Sequence, residues 1–138
     1  MKISTKGRYG LRALVDLANH MDGGFVSLAR ITERQNLSVN YLEQVFSALK
    51  KAKLVVGMTG AGGGYRLARP PEEITVEMVL EVLEGDLSIV DKPLGRQSPF
   101  CRCICRHLWD KVDGQVTGVI RTTTIKSLMD AAQPAEEN

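Results

Sequence analysis

The feature that most limits what this chain can fold into is the stretch from Leu54 to Ala68. Leu54-Val55-Val56-Gly57-Met58 and Tyr65-Arg66-Leu67-Ala68 are short runs suited to strands, and Thr59-Gly60-Ala61-Gly62-Gly63-Gly64 lies between them. Two such runs joined by a glycine-rich turn predict a β-hairpin. A nucleotide-cradling loop also uses clustered glycines, but it needs Gly-Lys-Ser/Thr opening into a helix, and here a strand follows. The hairpin must therefore be explained by what precedes it.

What precedes it is helical. Ser4 or Thr5 can cap a first helix, in which Tyr9, Ala13, Leu14, Leu17, Ala18 and Met21 recur at helical spacing until Asp22-Gly23-Gly24 ends it. Ser27 caps a short second helix with Leu28 and Ile31 inward, Gln35-Asn36-Leu37 breaks it, and Ser38 caps a third. In the third, Leu42, Val45, Phe46 and Leu49 form the buried stripe, leaving Asn40, Tyr41, Glu43, Gln44, Ser47, Lys50 and Lys51 on the outer face. A short helix, a tight turn and a longer helix form a helix-turn-helix, and the hairpin directly after it is the wing of a winged helix. The fold class predicted is mainly α with a small β-hairpin wing, plus a long C-terminal dimerisation helix.

In a helix-turn-helix the second helix enters a DNA major groove about 12 Å wide with its N-terminal residues at the base edges. The candidate DNA contacts are Ser38, Asn40, Tyr41, Glu43 and Gln44 from that helix, Lys2, Thr5 and Arg8 from the chain start, and Thr59, Gly60, Gly63 and Tyr65 from the wing. Glycines let wing amides approach phosphates, and Arg66 and Arg69 add charge. The charge distribution agrees. Residues 1–70 carry eleven Lys/Arg against four Asp/Glu, a net +7, whereas residues 71–138 carry seven against twelve, a net −5. A basic first half joined to an acidic second half suggests a polyanion-binding module on a partner-binding or regulatory one. With the helix-turn-helix and wing, residues 1–70 are expected to be the DNA-binding domain, and residues 71–138 to hold a sensor loop at about 86–106 and the dimerisation helices.

The second half is read less directly. Thr75 caps a helix with Val76, Val79, Leu80 and Leu83 on one face, and Gly85 stops it. Residues 86–106 read as irregular, since Pro93, Gly95 and Pro99 exclude a regular helix or long strand. This segment holds every cysteine of the chain, in Phe100-Cys101-Arg102-Cys103-Ile104-Cys105-Arg106-His107. On an extended backbone rising about 3.3 Å per residue, Cys101, Cys103 and Cys105 would point the same way roughly 7 Å apart. That would be a row of soft-metal ligands, with His107 as a candidate fourth and zinc as an alternative occupant. Disulfides between positions two apart are strained.

Beyond the loop, Leu108, Val112, Val116, Val119 and Ile120 form an apolar stripe on a helix with no cover in so small a chain, which predicts a homodimer. Thr122-Thr123-Thr124 weakens that helix, Thr124 caps a last turn carrying Ile125, Leu128 and Met129, and the tail from Gln133 is expected to fray. At 138 residues the chain fits one compact domain with an appendage, and 5% aromatic content makes its core aliphatic. No signal-peptide-like or membrane-spanning apolar run is present, which points to the cytoplasm, where thiols stay reduced. No nucleophile–base pair or carboxylate pair emerges, so an enzyme is not expected.

Taken together, Met1 to Leu14, Leu37-Ser38-Val39-Asn40-Tyr41-Leu42-Glu43-Gln44 and Gly62-Gly63-Gly64-Tyr65-Arg66-Leu67 resemble the Rrf2 family of bacterial transcription regulators across nearly the whole chain. The resemblance implies a winged-helix homodimer whose C-terminal helices cross between subunits and which binds a double-stranded, palindromic operator. In the sensor members it implies a [2Fe–2S] cluster held by a cysteine-bearing loop before the dimerisation helix. Such a cluster takes four protein ligands. Here Cys101, Cys103 and Cys105 would supply three and His107 or Glu43 the fourth. The first-helix positions that ligate in some members are Arg8 and Arg12, which cannot serve. Two departures stand out: Thr59 occupies a wing position that is commonly Arg, and the cysteines are compressed to alternate positions. The alternative within the family is a repressor of cysteine and sulfur metabolism controlled by a partner protein, without a cluster.

Overall fold

The computed structural model describes residues 2–90 and 95–132. Pro93 and the tail from Gln133, both assigned above from sequence, lie outside the described residues. Helices α1 (Thr5–Asn19), α2 (Leu28–Gln35) and α3 (Val39–Lys51) are followed by strands β1 (Val55–Met58) and β2 (Gly64–Leu67). Then come a 3₁₀ turn (Pro71–Glu73) and helices α4 (Val76–Glu84), α5 (Pro99–Ile104), α6 (Asp110–Thr122) and α7 (Ile125–Ala131).

Local chemistry accounts for these boundaries. Ser27 and Ser38 cap α2 and α3 by accepting from the amides of Arg30 and Tyr41. Asn36, at φ 55, ends α2 in the left-handed conformation that asparagine tolerates. Thr75 and Thr124 open α4 and α7 in the same way as the serines. The strands pair antiparallel with Val55 opposite Leu67 and Met58 opposite Gly64. Tyr65 also exchanges two backbone bonds with Val26, each 2.8 Å, so the wing is stitched to the segment ahead of α2. Gly64 makes this possible. Its φ is +150°, and a β-carbon there would collide with the Val26 carbonyl.

The core is aliphatic, as the composition required. Leu14, Leu17, Ile31, Leu42, Val45, Leu49, Ile74, Val79 and Ile125 are fully buried around Phe46. The C-terminal half contributes to it: α4 packs on α1 and α3, α7 packs on α1, and residues 74–76 bond to 123–125. Close approach of α1 and α4 needs Gly10, where a β-carbon would lie 2.5 Å from Leu83 Cδ1.

One expectation is corrected. Residues 99–106 are not irregular, because Pro99 stands at the first helical position behind a Ser98 cap. There its missing amide costs nothing and its fixed φ suits the helix. The helix then runs without a break from 99 to 122, through a π-helical turn at Cys105–Trp109 in which the Asp110 N–H donates to the Cys105 carbonyl. At 1.5 Å per residue this rod is about 36 Å long. No residue of α5 or α6 is buried, and Phe100, Ile104, Leu108 and Val119 are exposed.

Candidate nucleic-acid interface and the cysteine helix

The outer face of α3 is set by contacts that lock α1 to α2 and α1 to α3. Asp16, 5% exposed, accepts from Arg34 Nε (3.0 Å to each oxygen), Arg34 Nη2 (2.7 Å) and Gln35 Nε2 (2.8 Å), which fixes the end of α2 against α1. The hydrogen bonds to Asp16 hold the Arg34 guanidinium protonated beyond the ordinary arginine range. Arg12 donates to the Gln35 carbonyl at 2.8 Å and lies 4.9 Å over the Tyr9 ring. Tyr9 in turn meets Tyr41 of α3 edge-on at 6.3 Å.

With its inner stripe buried, α3 turns Asn40, Glu43, Gln44, Ser47 and Lys51 into a shallow outward groove. These side chains offer donors, acceptors and a cation at helical spacing, the chemistry that base edges and phosphates require. Ser38 sits at the N-terminal end of the same helix with its hydroxyl committed to the cap. Tyr41 behaves differently, since its hydroxyl is buried without a hydrogen-bond partner.

In the wing, Thr59 and Gly60 are exposed at the tip and Gly63 is half-buried. Tyr65 packs its ring 5.1 Å from Phe46, so it supports the hairpin from below. Arg66 lies 5.1 Å over Phe25 on the hairpin's flank. Lys2, Thr5 and Arg8 are exposed at and just before the start of α1. The sequence singled out the α3 face and the wing but missed the buried Asp16–Arg34–Gln35 network. Its signal was an aspartate among Ala13, Leu14, Leu17 and Ala18, on the inward face of α1.

The cysteines are arranged otherwise than expected. On a helix that advances about 100° per residue, positions 101 and 105 fall within about 40° of each other and position 103 falls on the far side. Cys101 and Cys103 are exposed, Cys105 is half-buried, and all three are free thiols. The extended row of sulfurs is therefore replaced by a diverging set. His107 lies in the π turn and shares a shallow depression with Pro99, Arg102, Cys103 and Arg106. Glu43 belongs to the α3 groove, which contains no cysteine. Among the described residues no three His, Cys, Asp or Glu side chains converge as a metal ion would need. The donor set of one protomer does not fit a four-ligand [2Fe–2S] cluster.

A helix-turn-helix with an outward polar face, followed by a stitched glycine-rich wing, defines a winged-helix DNA-binding transcriptional regulator. A model of the Rrf2 family, described as iron-dependent transcriptional regulators, matches residues 3–131. The chain belongs to the Rrf2 family. It is similar to the transcriptional regulator IscR of Aliivibrio salmonicida, 39% identical over 94% of this chain and 77% of the relative. Among solved structures it is similar to CymR, the global cysteine regulator of B. subtilis, with TM-score 0.84 and 40% identity over 96% of this chain and 99% of that one. The T. potens IscR structure aligns with TM-score 0.78 and 38% identity over 100% and 93% of the two chains. These relatives are regulators rather than enzymes. Among the described residues no helix is long and apolar enough to cross a membrane.

Proposed function

We propose that this chain is a homodimeric transcriptional repressor of cysteine or sulfur metabolism genes, controlled by a partner protein rather than by an iron–sulfur cluster. Residues 1–70 serve as the DNA-binding part, with Ser38, Asn40, Glu43 and Gln44 at the bases and the tip of the wing, Lys2 and Arg8 at phosphates. Residues 71–138 serve as the dimerisation and signal-receiving part. The homodimer is supported by the uncovered apolar residues of the 99–122 rod, which a second copy of the same rod would bury. The single observation that carries the choice of signal is the divergence of Cys103 from Cys101 and Cys105 on one helix, which leaves a cluster short of ligands. Similarity to B. subtilis CymR along nearly the full length of both chains supports the same choice.

Anaerobic purification tests it. A colourless, metal-free protein whose operator affinity survives Cys101→Ala, Cys103→Ala and Cys105→Ala together supports the reading. Brown protein with about one cluster per chain, or zinc at one per chain that is lost in the triple variant, overturns it.

A further inference from the structure

The N-terminus of α1 is held by a carboxylate from the end of α4. Glu84, the last residue of α4, uses Oε1 to accept from the Ser4 N–H at 2.8 Å, the Ser4 hydroxyl at 2.7 Å and the Gly7 N–H at 3.0 Å. Ser4 stands at the cap position of α1 but makes no side-chain cap bond there. Its hydroxyl is given to Glu84 instead. Gly7 leaves the necessary space, since a β-carbon at that position would collide with the same oxygen.

This contact is not needed to place α1 as a whole. Ala13, Leu14 and Leu17 are fully buried and Asp16 is tied to Arg34, so the body of the helix is fixed without Glu84. What Glu84 fixes is Ser4 and the first turn of α1, beside which Lys2, Thr5 and Arg8 are exposed. On its other side Glu84 leads directly into Gly85, at φ 83, and the segment whose Ile89 N–H donates to Asp113 of α6 at 2.7 Å. One side chain thus joins the first turn of α1 to the segment 85–90, which is tied to α6 through Ile89.

We infer that Glu84 is a positioning residue for DNA binding, holding residues 2–7 so that Lys2 faces the phosphate backbone. The inference rests on the reading of Lys2 as a phosphate contact. Each phosphate neutralised adds about 0.9 to the slope of log K against log salt on duplex DNA. A purely structural role would lower the folded fraction and leave that slope unchanged.

The experiment measures binding of the full chain to a fluorescein-labelled duplex of mixed sequence across a salt series. It uses wild type, Glu84→Ala, Glu84→Gln and Lys2→Ala, and combines Lys2→Ala with Glu84→Ala. The expected result is a slope reduced by about 1.8 per dimer in Glu84→Ala, one Lys2 contact from each protomer, restored in Glu84→Gln, which keeps the acceptor oxygen, and no further loss when Lys2→Ala is added to Glu84→Ala. An unchanged slope in Glu84→Ala, or an equal effect of Lys2→Ala in both backgrounds, overturns the inference. Should Glu84→Ala unfold at the assay temperature, Ser4→Ala removes one of the three bonds and enters the same cycle with the same criteria. Wild-type protein that fails to bind the duplex would overturn the DNA-binding reading itself, an outcome distinct from wild-type binding with an unaltered Glu84→Ala slope.

Discussion

Replacing Arg34 by alanine is the sharpest test of how α2 is held against α1. Asp16 is the one buried charged side chain among the described residues, with its carboxylate 2% exposed. Arg34→Ala removes three of the four side-chain hydrogen bonds that reach this carboxylate from α2 and leaves only Gln35 Nε2. Stripping one partner from a fully buried ion pair costs about 3–5 kcal/mol. Arg34 is itself 32% exposed, so solvent screens part of its charge and the lower end, about 3 kcal/mol, applies here. At roughly 3 °C per kcal/mol for a chain of this size, the melting temperature should fall by about 10 °C at fixed protein concentration.

The asymmetry is as informative as the size. Asp16→Leu combined with Arg34→Ala removes the stranded charge as well as its partner, and should be no less stable than Arg34→Ala alone. Urea titration followed by circular dichroism measures both. A loss below about 1 kcal/mol in Arg34→Ala, or a double variant that is clearly worse, would refute the view that Asp16 is a buried charge dependent on Arg34. The pH dependence has a definite sign. Because Asp16 raises the guanidinium above its ordinary value, the arginine's contribution is complete below the unfolded value and is lost only as pH rises through the still higher folded one. Titration of Arg34 therefore adds no pH dependence to stability at neutral pH.

Further outcomes follow from other contacts. Gly64→Ala forces a β-carbon against the Val26 carbonyl at a φ that side chains rarely adopt, so it should lower stability by about 1–3 kcal/mol and weaken DNA binding by unseating the wing; equal melting curves would contradict this. Phe46→Ala empties the centre of the core and should cost about 3–5 kcal/mol in denaturant titration. Val119→Glu, at a position 64% exposed in the single chain, should leave the fold intact and shift the protein to monomer in light scattering. A Val119→Glu dimer of wild-type affinity would remove α6 from the interface.

Much of the architecture was legible in the sequence because its signals are local. Ser27, Ser38, Thr75 and Thr124 each announce a helix that forms, and the glycine-rich turn announces the wing. The α3 face was legible for the same reason, since the buried Leu42, Val45, Phe46 and Leu49 assign the outer residues by elimination. Two features were not. Pro99 reads as a helix breaker by its residue type, but its place behind the Ser98 cap makes it a helix starter, and the cysteines that follow form a diverging helical set instead of an extended row. The Glu84 and Asp16 contacts join residues 77 to 80 and 18 to 19 positions apart, and no local pattern encodes a partner at that separation.

The π turn at Cys105–Trp109 gives the rod a stored angle. Phe100, Ile104, Leu108, Val112, Val116 and Ile120 recur every four residues. On an uninterrupted α-helix each such step drifts about 40°, so Phe100 would end about 200° away from Ile120. The one residue that the π turn absorbs takes back about 100° of that drift and brings the two ends towards a common side. Were the turn to relax into α-helix, Cys101 and Cys103 would swing by about that same 100° relative to α6. The thiols thus sit on the hand of a dial whose detent is the π turn itself.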